Sequence, residues 1–337
     1  MRSGILAAGN WIRDHVKTVD AWPDQDGLAN ILGRTDGNGG GPYNVLKDLS
    51  QMRAPFPLEG LGLIGDDADG REILDDCRAS GIGTGGLRAT PGLRTSSTDV
   101  MTVRGSGRRT FFHDRGANAR LGPAAFEFSG RKERIFYLGY LMLLDALDAA
   151  GADGLPQAHG VLARARAAGM VTCADCVSAA SGRFRATVAP VIPEVDILFT
   201  NDFEAEQIAG LSLGRGETLD RTAVEACARA LAGKGIRGRV VVHFPEGACA
   251  CSPEGRIIWQ PSVRVPADKV AGSVGAGDAL AAGVLLGVHE GWPMERSLEL
   301  GVCAAAMSLL HPACSESILS HEECAAFGRA HGFIHAR

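Results

Sequence analysis

The segment Val270-Ala-Gly-Ser-Val-Gly-Ala-Gly-Asp278 sets small residues beside a carboxylate and precedes an apolar helix-like run, Ala279 to Val288. Gly275, Ala276 and Gly277 let consecutive backbone N–H groups converge at a helix N-terminus, where the dipole also favours negative charge. Such a point can stabilise charge that develops on a phosphoryl group. Asp278 then stands where it can take the proton from a hydroxyl attacking that phosphorus. From this segment alone, a plain helix cap by Asp278 is the alternative.

Two further segments carry groups suited to ligands. Gly39-Gly40-Gly41-Pro42-Tyr43-Asn44 is a glycine-rich turn entering a helix-like stretch; it permits close approach of a ligand, with the Asn44 amide as both donor and acceptor. Asn201 and Glu204 follow the strand-like Val195 to Thr200, at the end of the strand where open α/β sheets bind ligands. An amide and a carboxylate there can organise the water shell of Mg²⁺, or they can form a helix capping box. Gly60-Leu-Gly-Leu-Ile-Gly65 spells a dinucleotide fingerprint, but Pro55 and Pro57 precede it and Asp66, Asp67 and Asp69 follow at once, where a pyrophosphate would be repelled.

The elements that must position these groups fall into two patterns. From residue 131 onward strand and helix alternate: strands at 134–138, 170–174, 195–200 and 238–244, and helices at 155–168, 204–209, 219–232, 276–289, 294–310 and 320–331. This implies an α/β fold whose mostly parallel central sheet is flanked by helices on both faces. Before it, segments of about 11–35 and 96–113 read as extended, the second with a turn at Gly105-Ser106-Gly107, and they are expected to pair as a small sheet. With no repeat, low-complexity tract or clear linker, residues 1–337 are expected to form one domain with that small sheet as an appendage.

Composition narrows the partners. The 337 residues carry a formal charge of −5, and only five of the 34 basic residues are lysines, with no basic stripe for a nucleic-acid backbone. The longest apolar run, Ile135 to Leu144, is about half the roughly 20 residues that span a bilayer. Nine cysteines, an odd number in a core-forming chain, argue for buried thiols; Cys173-x-x-Cys176 lacks a second pair at metal-binding spacing. The expectation is a soluble cytoplasmic protein whose partners are small molecules.

Taken in order along the chain, these segments resemble the PfkB or ribokinase family of carbohydrate kinases. The matching stretches are Gly9-Asn10 to Asp14, residues 39–44, Ile64-Gly-Asp-Asp-Ala-Asp-Gly70, Asn201-Asp-Phe-Glu204 and Gly275-Ala-Gly-Asp278. The resemblance implies a ribokinase-like fold with a small β-sheet lid from segments 11–35 and 96–113, and ATP-dependent phosphorylation of a hydroxymethyl group on a sugar-like substrate. It assigns Asp14, Gly40 and Asn44 to the substrate hydroxyls, and Asp278 with the N–H groups of 275–277 to catalysis. Mg²⁺ falls near Asn201 and Glu204, with Glu204 acting through water, and the nucleotide falls near Gly247 and the 270–278 loop. Arg115, in Phe111 to Ala119, resembles a lid arginine that returns toward substrate; a surface ion pair is its other reading. Lids of this family often pair between subunits, which implies a homodimer.

Departures mark where the resemblance thins. Gly272-Ser273-Val274 stands where the family usually has Asp-Thr-Thr, which removes the aspartate that helps hold a monovalent cation. His243-Phe-Pro-Glu-Gly247 replaces a Thr-x-Gly-x-x-Gly nucleotide segment. Two alternatives remain: a nucleoside kinase of the same family, with Trp11 or Trp22 of the lid region as a stacking surface, and a non-catalytic sugar- or nucleotide-binding sensor.

Overall fold

Runs such as Ile5-Leu6-Ala7-Ala8 and Val240-Val241-Val242 are apolar at every position, the pattern of strands buried on both faces, and the computed structural model places both in one nine-stranded sheet. The structure describes residues 2–105, 108–179, 181–213 and 220–334. Ser106 and Gly107 of the expected turn, and Leu219 at the expected helix start, lie outside them.

The strands are β1 Ile5–Gly9, β2 Ile12–Val19, β3 Ile31–Gly39, β4 Leu58–Gly65, β5 Gly83–Thr90, β6 Ser96–Val103, β7 Arg109–Asp114, β8 Ile135–Leu141, β9 Val171–Cys176, β10 Ile197–Asn201, β11 Arg239–Phe244, β12 Gly247–Cys251 and β13 Ile257–Pro261. The large sheet runs β13-β12-β11-β10-β9-β8-β1-β4-β5. Every neighbouring pair from β11 to β5 is parallel, and β12 and β13 form an antiparallel edge.

Alternation along each strand sorts side chains to two covered faces. Ile5, Ala7, Tyr137, Phe199 and Val241 pack with the helices Gly41–Gln51, Ala276–His289 and Met294–Ser308. Leu6, Ala8, Leu138, Leu198 and Val242 pack with Gln157–Ala167, Asp202–Ala209 and Arg221–Ala232. The fold is thus the ribokinase-like α/β arrangement, with helices on both faces of a mostly parallel sheet. All nine cysteines are buried and unpaired. Among the described residues, no helix is long and apolar enough to cross a membrane.

The two extended regions do pair, in a separate four-stranded sheet of order β3-β2-β6-β7. β2 joins β6 in parallel register, Asp14 opposite Thr98 and Val16 opposite Val100.

One expectation is corrected here. Trp11 is fully buried, stacked on Tyr43 at 5.4 Å between centroids, and its Nε1 donates to the Leu61 carbonyl at 3.0 Å. A Cβ at Gly60 or Gly62 would collide with that indole, so the glycines of the Gly60–Gly65 segment make room for Trp11 instead of binding a pyrophosphate. Trp11 is a core residue and offers no stacking surface.

Candidate active site

Strand order reverses at β1, which lies between β4 and β8, and the carboxyl ends of such strands open a ligand crevice. Asn10 follows β1 and fastens that point. Its backbone N–H donates to the Gly139 carbonyl at 2.9 Å, and its Oδ1 accepts from the Tyr140 backbone N–H. Tyr140, near the end of β8, is thereby aimed at the centre of the site.

Two helix N-termini meet there. Gly40, at φ +89°, takes a backbone shape that side-chain-bearing residues rarely adopt, and a Cβ on it would overlap the Asn10 carbonyl; the turn delivers the helix Gly41–Gln51 with Asn44 in its first turns. Gly275, at φ +78°, does the same for the helix Ala276–His289. The first intrahelical bond there runs from the Ala279 N–H to the Gly275 carbonyl, 2.8 Å, so the N–H groups of Ala276, Gly277 and Asp278 have no acceptor within the helix.

Asp278 does not cap its helix. Its Oδ2 accepts from Asn44 Nδ2 at 2.8 Å, and the Tyr140 hydroxyl lies 2.7 Å from both carboxylate oxygens. Asn44 is held in turn by Asn38, whose Nδ2 donates to Asn44 Oδ1 at 2.7 Å and to Ser315 Oγ at 3.0 Å. Burial pushes the Asp278 carboxyl up to about 6, against the lowering effect of the Tyr140 and Asn44 hydrogen bonds. Asp14, on β2, is pushed up to about 7, again chiefly by burial; a Thr98 hydrogen bond opposes this and the nearby Asp278 charge adds to it. The structure therefore brings Asp14, Gly40, Asn44, Asp278 and the 275–277 backbone to one locus.

A second group lies at the ends of β9 and β10. Asn201 and Glu204 form a capping box, Asn201 Oδ1 accepting from the Glu204 N–H at 2.8 Å and Glu204 Oε2 from the Asn201 N–H at 2.9 Å. Glu204 Oε1 also accepts from Ser178 Oγ at 2.8 Å. Ligand atoms of Asp175, Cys176 and Glu204 lie within 4.8 Å of one another, all three residues buried. Burial pushes Glu204 up to about 7; Asp175 rises well above the carboxylate range through burial and the charges of Glu204 and Asp278. Two crowded carboxylates with hard oxygen donors fit a divalent cation such as Mg²⁺. The Cys176 thiol, raised well above its ordinary range by burial, is the wrong donor for that ion.

Two expected residues lie apart from the Asp278 cluster. Arg115 forms the surface ion pair, its Nη1 2.7 Å from Asp145 Oδ1 and 3.2 Å from the Met142 carbonyl. Gly247 opens β12 opposite Phe244, on the hairpin whose His243 ring packs against Gly277. Sequence reasoning missed Tyr140, Asp175, Asn38 and Ser315. The only signal for the first two was position: a polar group at the carboxyl end of an otherwise apolar strand.

Fold and site together define a kinase-type α/β protein, in which an anion-accepting helix N-terminus faces a buried carboxylate under a small second sheet. The model of pfkB family carbohydrate kinases matches residues 5–321, and the chain belongs to that family; it is a phosphotransferase with an alcohol group as acceptor. It is 25% identical over 307 residues to an ATP-dependent ribose-1-phosphate kinase from Halopiger xanaduensis, covering 90% of this chain and 91% of that one. Among solved structures, ribokinase from Arabidopsis thaliana complexed with ribose and ATP superposes with a TM-score of 0.79 at 18% identity, covering 98% of this chain and 99% of that one. A nucleoside kinase from Burkholderia thailandensis in complex with inosine gives 0.76 at 17% identity, covering 97% and 98%.

Proposed function

We propose that this carbohydrate kinase transfers the γ-phosphoryl group of ATP to a hydroxymethyl group of a sugar-like acceptor, with Asp278 as general base. The observation that carries this reading is the Asp278 carboxylate itself, buried, held by Asn44 and Tyr140, and adjacent to the N–H groups of 275–277. Asp14, Gly40 and Asn44 bind the acceptor hydroxyls. Asp278 takes the proton of the attacking hydroxyl as the new O–P bond forms and the bond from the γ-phosphorus to ADP breaks. The 275–277 N–H groups take up charge on the phosphoryl oxygens. Gly247 and the 270–278 loop line the nucleotide side.

Asp175 and Glu204 would hold Mg²⁺, partly through water, and Asn201 fixes the Glu204 carboxylate by the capping box. The bound ion would neutralise charge on the ATP phosphates. Gly272 at the usual aspartate position argues against a monovalent-cation requirement.

The small sheet acts as a lid on a single domain spanning 1–337. The gap it leaves over Asp14 is about 10 Å³, room for roughly one water, so a sugar enters only when the sheet lifts. Trp22 and Phe112 stack on it with each ring more than half exposed, an apolar patch suited to a second copy of the chain.

The test is Asp278→Asn, assayed with Mg-ATP against pentoses, hexoses, sugar acids, sugar phosphates and nucleosides. Transfer should fall by about 10²- to 10⁴-fold while acceptor binding persists; turnover near the wild-type rate would remove Asp278 as the base.

A further inference from the structure

Arg109 lines the same closed gap as Asp14. It sits near the start of β7, and its side chain crosses to the loop before the helix Ala276–His289, where a Cβ on Gly272 would overlap the guanidinium. The gap is lined by Asp14, Asn38 and Val100 from the small sheet and by Val274 and Pro312 from the loops opposite, with Arg109 among them. Asp14 and Arg109 are the only charged residues in that lining.

The guanidinium has no ion pair or hydrogen bond among the described residues, whereas three other arginines are matched: Arg13 with Glu72 at 2.7 Å, Arg94 with Asp114 at 2.6 Å, Arg115 with Asp145 at 2.7 Å. Arg109 is half-buried, and burial lowers its pKa, the mark of a cation short of compensating charge. A half-buried guanidinium with five unused donors fits a planar or tetrahedral oxyanion, which it can grip bidentately.

Gly272 strengthens the point. An aspartate there would supply the missing partner; glycine leaves the cation free and gives it the space. An acceptor bearing a negative group would otherwise be repelled by Asp14 and Asp278, so a cation in this lining is what such an acceptor needs.

We propose that Arg109 is a specificity-determining residue of the acceptor site and that the acceptor carries a phosphate or carboxylate group which the guanidinium binds as the small sheet closes. This rests on the kinase reading for the place of the acceptor, but binding alone tests it. Ribose, ribose 1-phosphate and ribonate, which share a terminal hydroxymethyl group, are titrated calorimetrically into the wild-type chain, Arg109→Gln and Arg109→Lys, without nucleotide; Mg-ATP is titrated separately. The wild type should bind at least one of the two anions roughly 10- to 100-fold more tightly than ribose, the scale of hydrogen bonds to a charged group. Arg109→Gln should erase that margin and leave ribose within about twofold, and Arg109→Lys, which keeps the charge and loses the fork, should retain part of it. Three results overturn the inference: a wild type that binds ribose as tightly as both anions, an Arg109→Gln that weakens all three acceptors alike, or one that weakens only Mg-ATP and so assigns the guanidinium to the nucleotide. None of these touches the kinase reading, which fails separately if no acceptor receives phosphate from Mg-ATP.

Discussion

The large and small sheets solve opposite problems. In the large sheet both faces are covered, and strands such as β1 and β12 are buried at every position. The small sheet buries one face along β6, at Ser96, Thr98 and Val100, but its edge strands are open on both faces: six consecutive residues of β3, Ile31 to Asp36, are exposed, as are Phe111 and Phe112 of β7. The first gains stability from burial on both sides, and the second keeps only part of that gain. The contrast separates a scaffold that fixes Asp278 and Tyr140 from a thinner cover, the one proposed above to act as a lid.

The largest effect comes from removing the group the scaffold fixes. Asp278→Asn should lower kcat by about 10²- to 10⁴-fold, the range of general-base catalysis. It should also stabilise the protein above neutral pH. The Asp278 carboxyl is raised from 3.8 to about 6 in the folded chain, so its ionisation opposes folding, and stability is lost as pH rises from about 4 through 6. At pH 8 the full cost, roughly 3 kcal/mol at about 1.4 kcal/mol per pKa unit, is present in the wild type and absent from the asparagine variant. Thermal unfolding at pH 8 and pH 4 checks this. The variant should melt a few degrees higher at pH 8, with the gap closing at pH 4; no gap at pH 8 would mean that Asp278 is not strained by burial.

The same contrast governs what the sequence made legible. The glycine-rich turns at 39–41 and 272–277 announced both helix N-termini, because backbone that must turn sharply or approach a ligand closely restricts residue type. The parallel sheet was readable from apolar strands alternating with helices. Tyr140 and Asp175 were not, because each ends a run that reads as core, and only the sheet order shows that their strands finish side by side. The Asn38–Ser315 contact joins residues 277 positions apart, beyond any local pattern. Trp11 looked like lid surface because it neighbours the lid strands; the space left by Gly60 and Gly62 on β4 buries it. The hairpin β12–β13 and the helix Ala68–Ala79 were left unassigned, since short glycine- or charge-rich segments carry little periodicity.

Tyr140→Phe makes a smaller cut in the same scaffold. The hydroxyl donates to the Asp278 carboxylate and holds its pKa down, so its loss should raise that pKa above about 6. Since the base works ionised, the acid limb of kcat/KM should move to higher pH. Activity should fall roughly tenfold at pH 6 and little at pH 9, given about 1.5 kcal/mol for a hydrogen bond to a charge. A uniform loss at every pH would make Tyr140 a packing residue only.

Hydrogen exchange tests the mobility half of the contrast. Amides of β2 and β6 should exchange about tenfold or more faster than those of β1 and β8, because opening the small sheet exposes them without unfolding the core. A bound acceptor with a non-hydrolysable ATP analogue should slow β2 and β6 selectively. Equal protection in both sheets would rule out a cover that lifts on its own.

The smallest effect on chemistry should come from the outward face of the small sheet. Trp22 stacks on Phe112 at 6.3 Å with both rings more than half exposed, and Leu28 is 85% exposed. If this face joins two copies, Trp22→Ser with Phe112→Ser removes the aromatic centre of the interface, where a few buried rings carry most of the binding free energy. Sedimentation should then show a dimer converted to monomer, with kcat changed by no more than about twofold because neither ring reaches Asp278. A wild-type monomer would leave the exposed aromatics without a second copy. A dimer unchanged by the double substitution would place its interface on another surface and leave the small sheet free to lift in each subunit independently.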